Sequence, residues 1–235
     1  MFALAGRFDM KKVFYTEDAY LAGTLFLAFG TALMEKADFG MSTVVAPAYL
    51  LYRKLSGTFS FFTFGMAEYT LQAVLLIVLA ICLKRYKKSY LFSFVTALFY
   101  GFVLDVMMKL VAFIPSFFWL RFVFYILGMI ICAIGVAFYF RTYISPAAYE
   151  LCVSEISDAK HADLSKVKII YDISSCLIAV LMSFIFFGFG RFEGIKAGTF
   201  ICAALNGILI GFFNRRYDEL FEFKDRFDLR KYFVR

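Results

Sequence analysis

The chain has 235 residues, 63% of them hydrophobic and 21% aromatic, with a mean hydropathy of +0.78. That is too apolar for a soluble domain of this length and predicts an integral membrane protein. The net charge of +7 implies no nucleic-acid partner; in such a chain it orients the protein and favours anionic lipid surfaces.

Six stretches reach spanning length: Ala19 to Met34, Phe62 to Leu83, Ser89 to Met108, Phe122 to Phe140, Val167 to Gly188 and Ala197 to Phe213. Each is roughly 16 to 22 residues, near the length a helix needs to cross hydrocarbon. A closed barrel would instead show alternating segments of about ten residues, so an all-α bundle is expected. With the N-terminus in the cytoplasm, most of the 25 Lys and Arg fall on the cytoplasmic side, among them Arg7, Lys84 to Lys88, Arg141, Lys160, Lys166, Lys168 and the C-terminal cluster through Arg235. Both termini are therefore expected inside. Arg7, Asp9, Glu17 and Asp18 precede the first span without a small-residue cleavage site, so no cleavable signal is expected and residues 1–18 read as a cytoplasmic segment.

After the first span comes Glu35-Lys36-Ala37-Asp38-Phe39-Gly40 and then a short apolar stretch, Met41 to Tyr52. After the fourth comes Arg141 to Pro146 and a second short stretch, Ala147 to Val153. Neither is long enough to cross; each is either re-entrant, as in transporter sites, or interfacial, as Tyr49, Tyr52, Arg53 and Lys54 would suit. Ile114-Pro115-Ser116 reads as a turn, and Asp158 to Asp163 as the most polar loop, carrying the single histidine, His161. The five cysteines lie in or beside spans without metal spacing. No metal, cofactor or nucleophilic triad constellation is visible, which argues against an enzyme. The tail, residues 214–235, mixes Tyr217, Leu220, Phe221, Phe223 and Phe227 with basic residues and reads as an interfacial helix or a docking site for a cytoplasmic partner.

The chain also echoes itself at a shift of about 105 residues. Gly30-Thr31-Ala32-Leu33 with Lys36 lies over Gly135-Val136-Ala137-Phe138 with Arg141; Glu68 falls on Asp172 at a shift of about 104 and Gly101 on Gly207 at about 106. The expected architecture is thus two three-span repeats, residues 19–113 and 117–213, each with a short helix after its first span. An odd number of spans mounts the copies upside down relative to each other, with a site between them.

Acidic groups inside hydrocarbon cost about 2.5 to 3.5 kcal/mol each on insertion scales. Glu68, with Gln72 one turn on, and Asp172, with Ser175 and Cys176 on its face, are therefore candidate ligands for an ion or polar solute, the alternative being carboxylates that hold the bundle together. Asn206 adds an amide to a small-residue face formed by Gly198, Gly207 and Gly211. Asp105 and Lys109, four apart on one face, are expected to neutralise each other. Arg141 and Glu150 are secondary candidates beside the second short segment.

Several of these motifs together resemble the YitT/YczE-like bacterial membrane protein family: Gly30 to Met34 with Lys36 to Ser42; Ala137 to Arg141 with Pro146; Ser165 to Lys168 with Asp172; and Gly198-Thr199 through Asn206-Gly207 to Phe213. Thr43 stands where that family usually has a proline. The resemblance implies a multispan protein of the bacterial plasma membrane and no catalytic signature. The leading expectation is a permease for a small polar solute or ion. The alternatives are a substrate-capture or accessory subunit working with a partner, or a lipid translocase, which needs a groove open sideways to lipid.

Overall fold

The computed structural model describes residues 11–162 and 164–233; Arg7, Asp163 and Arg235, counted above among the polar ends, lie outside them. In chain order the elements are β1 (Lys12–Tyr15), α1 (Thr16–Ala37), α2 (Ala46–Leu55), α3 (Phe64–Leu83), α4 (Lys88–Ala112), α5 (Phe118–Tyr139), α6 (Ala148–Lys160), α7 (Leu164–Phe187), α8 (Ala197–Leu220), β2 (Phe221–Lys224) and α9 (Arg230–Phe233). The helices fall where hydropathy places them, and the two short apolar stretches form the short helices α2 and α6.

Five helices are long and apolar enough to cross a membrane: α3, α4, α5, α7 and α8. The chain is a multi-pass membrane protein. Six spans are expected, and α1 departs from that pattern: it has the length, 22 residues, but Glu17, Asp18, Thr24, Thr31, Glu35 and Lys36 lower its hydropathy. Its polar and small side chains turn inward. Thr24, Thr31, Gly23 and Gly30 are buried, and the helix packs along α5 on one side and α4 on the other.

Glycines set how closely the helices approach. A Cβ on Gly30 would lie 2.7 Å from the Gly128 carbonyl oxygen, and one on Gly135 would lie 2.9 Å from that of Gly23. The contacts Gly23–Gly135 and Gly30–Gly128 run in opposite sequence directions, so α1 and α5 are antiparallel. Gly65 and Gly101 bring α3 against α4 in the same way. Small residues of this kind are how membrane helices gain backbone contact where lipid offers no hydrophobic drive. By contrast, α7 packs on α2 and α6, and α8 on α5, while among the described residues α7 and α8 hardly touch. A Cβ at Gly207 or Gly211 would meet open space.

Two loop clasps fix the short segments. The Gly198 N–H donates to Phe39 O, and Tyr125 Oη donates to Gly198 O. On the other half, Ser93 Oγ donates to Pro146 O at 2.6 Å and Thr96 Oγ1 to Ser145 O at 2.9 Å, with Tyr20 Oη donating to Thr96 at 3.2 Å.

The tail corrects two expectations. Instead of ending near Phe213, α8 runs on to Leu220, and the tail then becomes a strand: β2 pairs parallel with β1, Lys12 opposite Phe221 and Tyr15 opposite Lys224. The fold is therefore not purely α. Phe14, Phe221, Phe223 and Tyr217 pack with Phe138 in one aromatic cluster. Burial of these rings against one another favours the paired arrangement of β1 and β2.

Candidate functional site

The start of α3 is built for a buried acid. Thr63 caps the helix, its Oγ1 accepting from Met66 N, and Asp105 of α4 holds the same turn, accepting from Thr63 Oγ1 at 2.6 Å and from the Gly65 N–H at 2.8 Å. Asp105 therefore does not pair with Lys109 as its spacing suggests. Unfilled N–H groups at a helix start attract a carboxylate more strongly than an exposed lysine one turn away does.

One turn past Phe64, Glu68 is 0% exposed. Its Oε2 accepts from Gln72 Nε2 at 3.2 Å and from Tyr149 Oη at 2.9 Å. Oε1 is buried and, among the described residues, has no hydrogen-bond partner. Gln72 completes the joint: its Oε1 accepts from the Ala148 N–H at 3.0 Å. Since α6 has no side-chain cap of its own, Gln72 supplies one from a neighbouring helix, and this polar joint sits beside an apolar one in which Ala148 and Leu151 of α6 pack with Leu76 and Leu79 of α3.

The same turn of α6 reaches the other way. Glu150 lies within electrostatic range of Glu68 on one side and of Lys168 and Asp172 on the other. Its Oε2 is likewise buried and unpartnered. Asp172 makes an ion pair with Lys168, one turn earlier on α7, at 2.8 Å. Two expected residues, Glu68 and Gln72, thus meet at the start of α6, where the secondary candidate Glu150 stands within electrostatic range of the third, Asp172. Asn206 does not join them: it is half-buried on α8, which packs on α5. Arg141 is also elsewhere, donating to Asn214 O at 3.0 Å and Asp218 Oδ2 at 2.7 Å.

Several polar residues here were not legible in the sequence. Tyr149 reads as an ordinary apolar-segment aromatic, yet it is the main donor to Glu68. Tyr100 is buried beside that acid, its hydroxyl paired with Thr31 at 3.2 Å. Glu155 is 2% exposed and held by Lys87 at 2.8 Å; its place midway along a short helix gives no sequence signal. Among the described residues no group of three His, Cys, Asp or Glu is arranged to hold a metal. The two surface pockets that stand out lie at opposite ends of the α1–α5 pair, one beside Glu35 and one beside Arg141, and neither is lined by Glu68.

A family model described as a family of unknown function (DUF6198) matches residues 15–215. The chain belongs to this family. The matched region runs from the end of β1 to just past Asn214, so it contains α1 to α7 and most of α8, including the Glu68 site. Neither curated proteins nor solved structures yield a match.

Proposed function

We propose that the chain is a permease for a small polar solute or ion, built of six spans in two inverted repeats, with its site where α3 of the first repeat meets α6 and α7 of the second. The observation that carries this reading is Glu68: a wholly buried carboxyl with one oxygen unpartnered among the described residues. Such a group is costly unless it takes up a proton, a cation or a polar solute at some stage of a cycle. Glu68, Gln72, Glu150 and Asp172 are its binding residues, with Asn206 contributing only if α8 moves.

The inverted repeat is supported by the way contacts recur under the shift of about 105 residues. That shift carries Gly23 to Gly128 and Gly30 to Gly135, so the contacts Gly23–Gly135 and Gly30–Gly128 are images of each other, as expected where one surface meets its own copy across a twofold. It also carries Tyr20 to Tyr125 and Ser93 to Gly198, the residues of the two loop clasps. Lys36 donates to Ala112 O on α4 and Arg141 to Asn214 O on α8, again matching helices. The short helices correspond as well, α2 and α6 each resting on both α3 and α7. In this reading α1 is the sixth span, its polar face covered by α4 and α5. The distribution of Lys and Arg favours cytoplasmic termini, and the motif resemblance to YitT/YczE-like proteins favours a bacterial plasma membrane.

The test is transport by the full chain in proteoliposomes, measured as transient currents on a solid-supported membrane with a panel of amino acids, sugars and mono- and divalent cations. At least one member should give a current that Glu68→Gln and Asp172→Asn abolish. No current with any member, or currents undiminished in Glu68→Gln, overturns the reading.

A second reading is favoured by one feature, the separation of α7 from α8 with Gly207 and Gly211 facing open space. A gap of this kind suits a lipid translocase, which requires a lateral groove. Scrambling of fluorescent headgroup-labelled phospholipid in the same vesicles, blocked by Gly207→Trp, would support it over a solute permease.

A further inference from the structure

The pocket at the C-terminal end of α1 is a cavity of about 360 Å³ lined by charges of both signs. Most of them are already engaged. Asp38 accepts from Lys196 Nζ at 2.6 Å through one oxygen and from Arg121 at 3.0 Å through the other. Lys36 donates to Ala112 O at 3.1 Å.

Two groups are left with capacity. The Glu35 side chain is half-buried and, among the described residues, its carboxylate makes no hydrogen bond or ion pair. Arg53 faces Glu193 at 3.6 Å, beyond hydrogen-bond range, with both side chains well exposed. Glu35 and Arg53 feel each other's charge across the cavity without meeting. Beneath them the pocket is walled by Tyr49, whose ring is buried against Phe64 with centroids 5.5 Å apart. Gly194, at φ +66°, brings the α7–α8 loop against that same ring, so the wall is fixed from both sides.

We infer that this pocket is a binding site for a small zwitterion of the amino-acid class, its ammonium on Glu35 beside the Tyr49 ring and its carboxylate on Arg53. The chemistry selects both charges together. A simple amine would satisfy Glu35 and leave Arg53 with only its long pair to Glu193, and a simple carboxylate would engage Arg53 while facing the unpaired Glu35. Arg is suited to hold a carboxylate through two parallel bonds, and an aromatic face favours a neighbouring ammonium. Exchange of the long Arg53–Glu193 pair for a ligand carboxylate costs little, since exposed ion pairs contribute little. The site stands apart from Glu68, so it does not depend on whether the chain transports.

The experiment is equilibrium binding to the detergent-solubilised full chain, read by thermal shift and calorimetry, with L-alanine as probe and propylamine and propionate as single-charge controls. Alanine should raise the unfolding midpoint, with each control binding about tenfold more weakly or less, the consequence of losing one charge-assisted hydrogen bond. Glu35→Gln and Arg53→Gln should each weaken alanine by a similar factor, while Lys54→Gln, which lies outside the pocket, and Glu68→Gln should leave it unchanged. Because Arg53 is exposed, its variant keeps the test decisive if Glu35→Gln fails to fold. The inference falls if alanine gives no stabilisation, if the three probes bind alike, or if the pocket variants bind alanine as the wild type does. Loss of transport in Glu68→Gln with alanine binding retained would separate the two sites.

Discussion

The hydroxyl of Tyr149 stands 2.9 Å from Oε2 of Glu68, so a buried acid on α3 and the first turn of α6 share one hydrogen bond. Removing the donor leaves the carboxyl with Gln72 alone. Tyr149→Phe should therefore lower stability by about 1–3 kcal/mol, the range for stranding a buried polar partner. A double-mutant cycle of Tyr149→Phe with Glu68→Gln, followed by thermal unfolding in mild detergent, should give a coupling of at least about 0.5 kcal/mol. Additive effects would mean that the contact carries no energy.

The glycines separate into two classes by what surrounds them. Gly65→Ala would drive a methyl into the Gly101 backbone and should cost about 1–3 kcal/mol as α3 and α4 are pushed apart. Gly207→Ala meets open space and should be neutral or stabilising by up to about 1 kcal/mol, from helix propensity. Paired unfolding measurements on the two variants check this. Equal losses would show that the Gly207 face of α8 is packed against a neighbour in the membrane.

Asp105 acts as a cap for α3. Asp105→Ala removes the acceptor for both Thr63 Oγ1 and the Gly65 N–H, and the expected loss is about 1–2 kcal/mol. Lys109→Ala should change stability by less than about 0.5 kcal/mol, as for an ordinary surface substitution. If the lysine variant loses as much as the aspartate variant, the two residues act as a pair after all.

The joined termini should open in acid. Hydrogen bonds from Arg230 hold the Asp225 carboxyl below the usual aspartate range, Thr16 adding a further bond. For Glu17, burial works to raise the carboxyl, but donors from Arg226 N–H, Tyr143 Oη and Phe227 N–H outweigh it and hold it low. A depressed carboxylate contributes its stability above its unfolded pKa, about 3.9 to 4.3, and loses it as pH falls through the folded value. Hydrogen exchange at Arg226 and Phe227, corrected for intrinsic rates, should thus be protected at neutral pH and lose protection below about pH 4. Glu17→Ala should remove that protection at neutral pH.

Hydropathy and spacing alone located five of the spanning helices and the two short helices, because which segment prefers lipid is set by its own side chains. The acids Glu68 and Asp172, and Gln72 beside Glu68, were also legible, since a polar group in an apolar run stands out locally. Which partners those groups find depends on segments far away in the chain. Tyr149 is 81 residues from Glu68, and nothing in its own neighbourhood marks it as a donor. Asp105 shows the same limit, for its helical spacing pointed to Lys109 while the nearby start of α3 offered stronger partners. In the tail Tyr217 and Leu220 are helical as their spacing suggests, while Phe221–Lys224 pairs with β1 as a strand, its rings packed on Phe14 and Phe138 from distant parts of the chain. Composition thus decided the solvent each element lives in, and tertiary packing decided where α1 hides its polar face, which carboxyl oxygens are left bare, and that α7 stands away from α8.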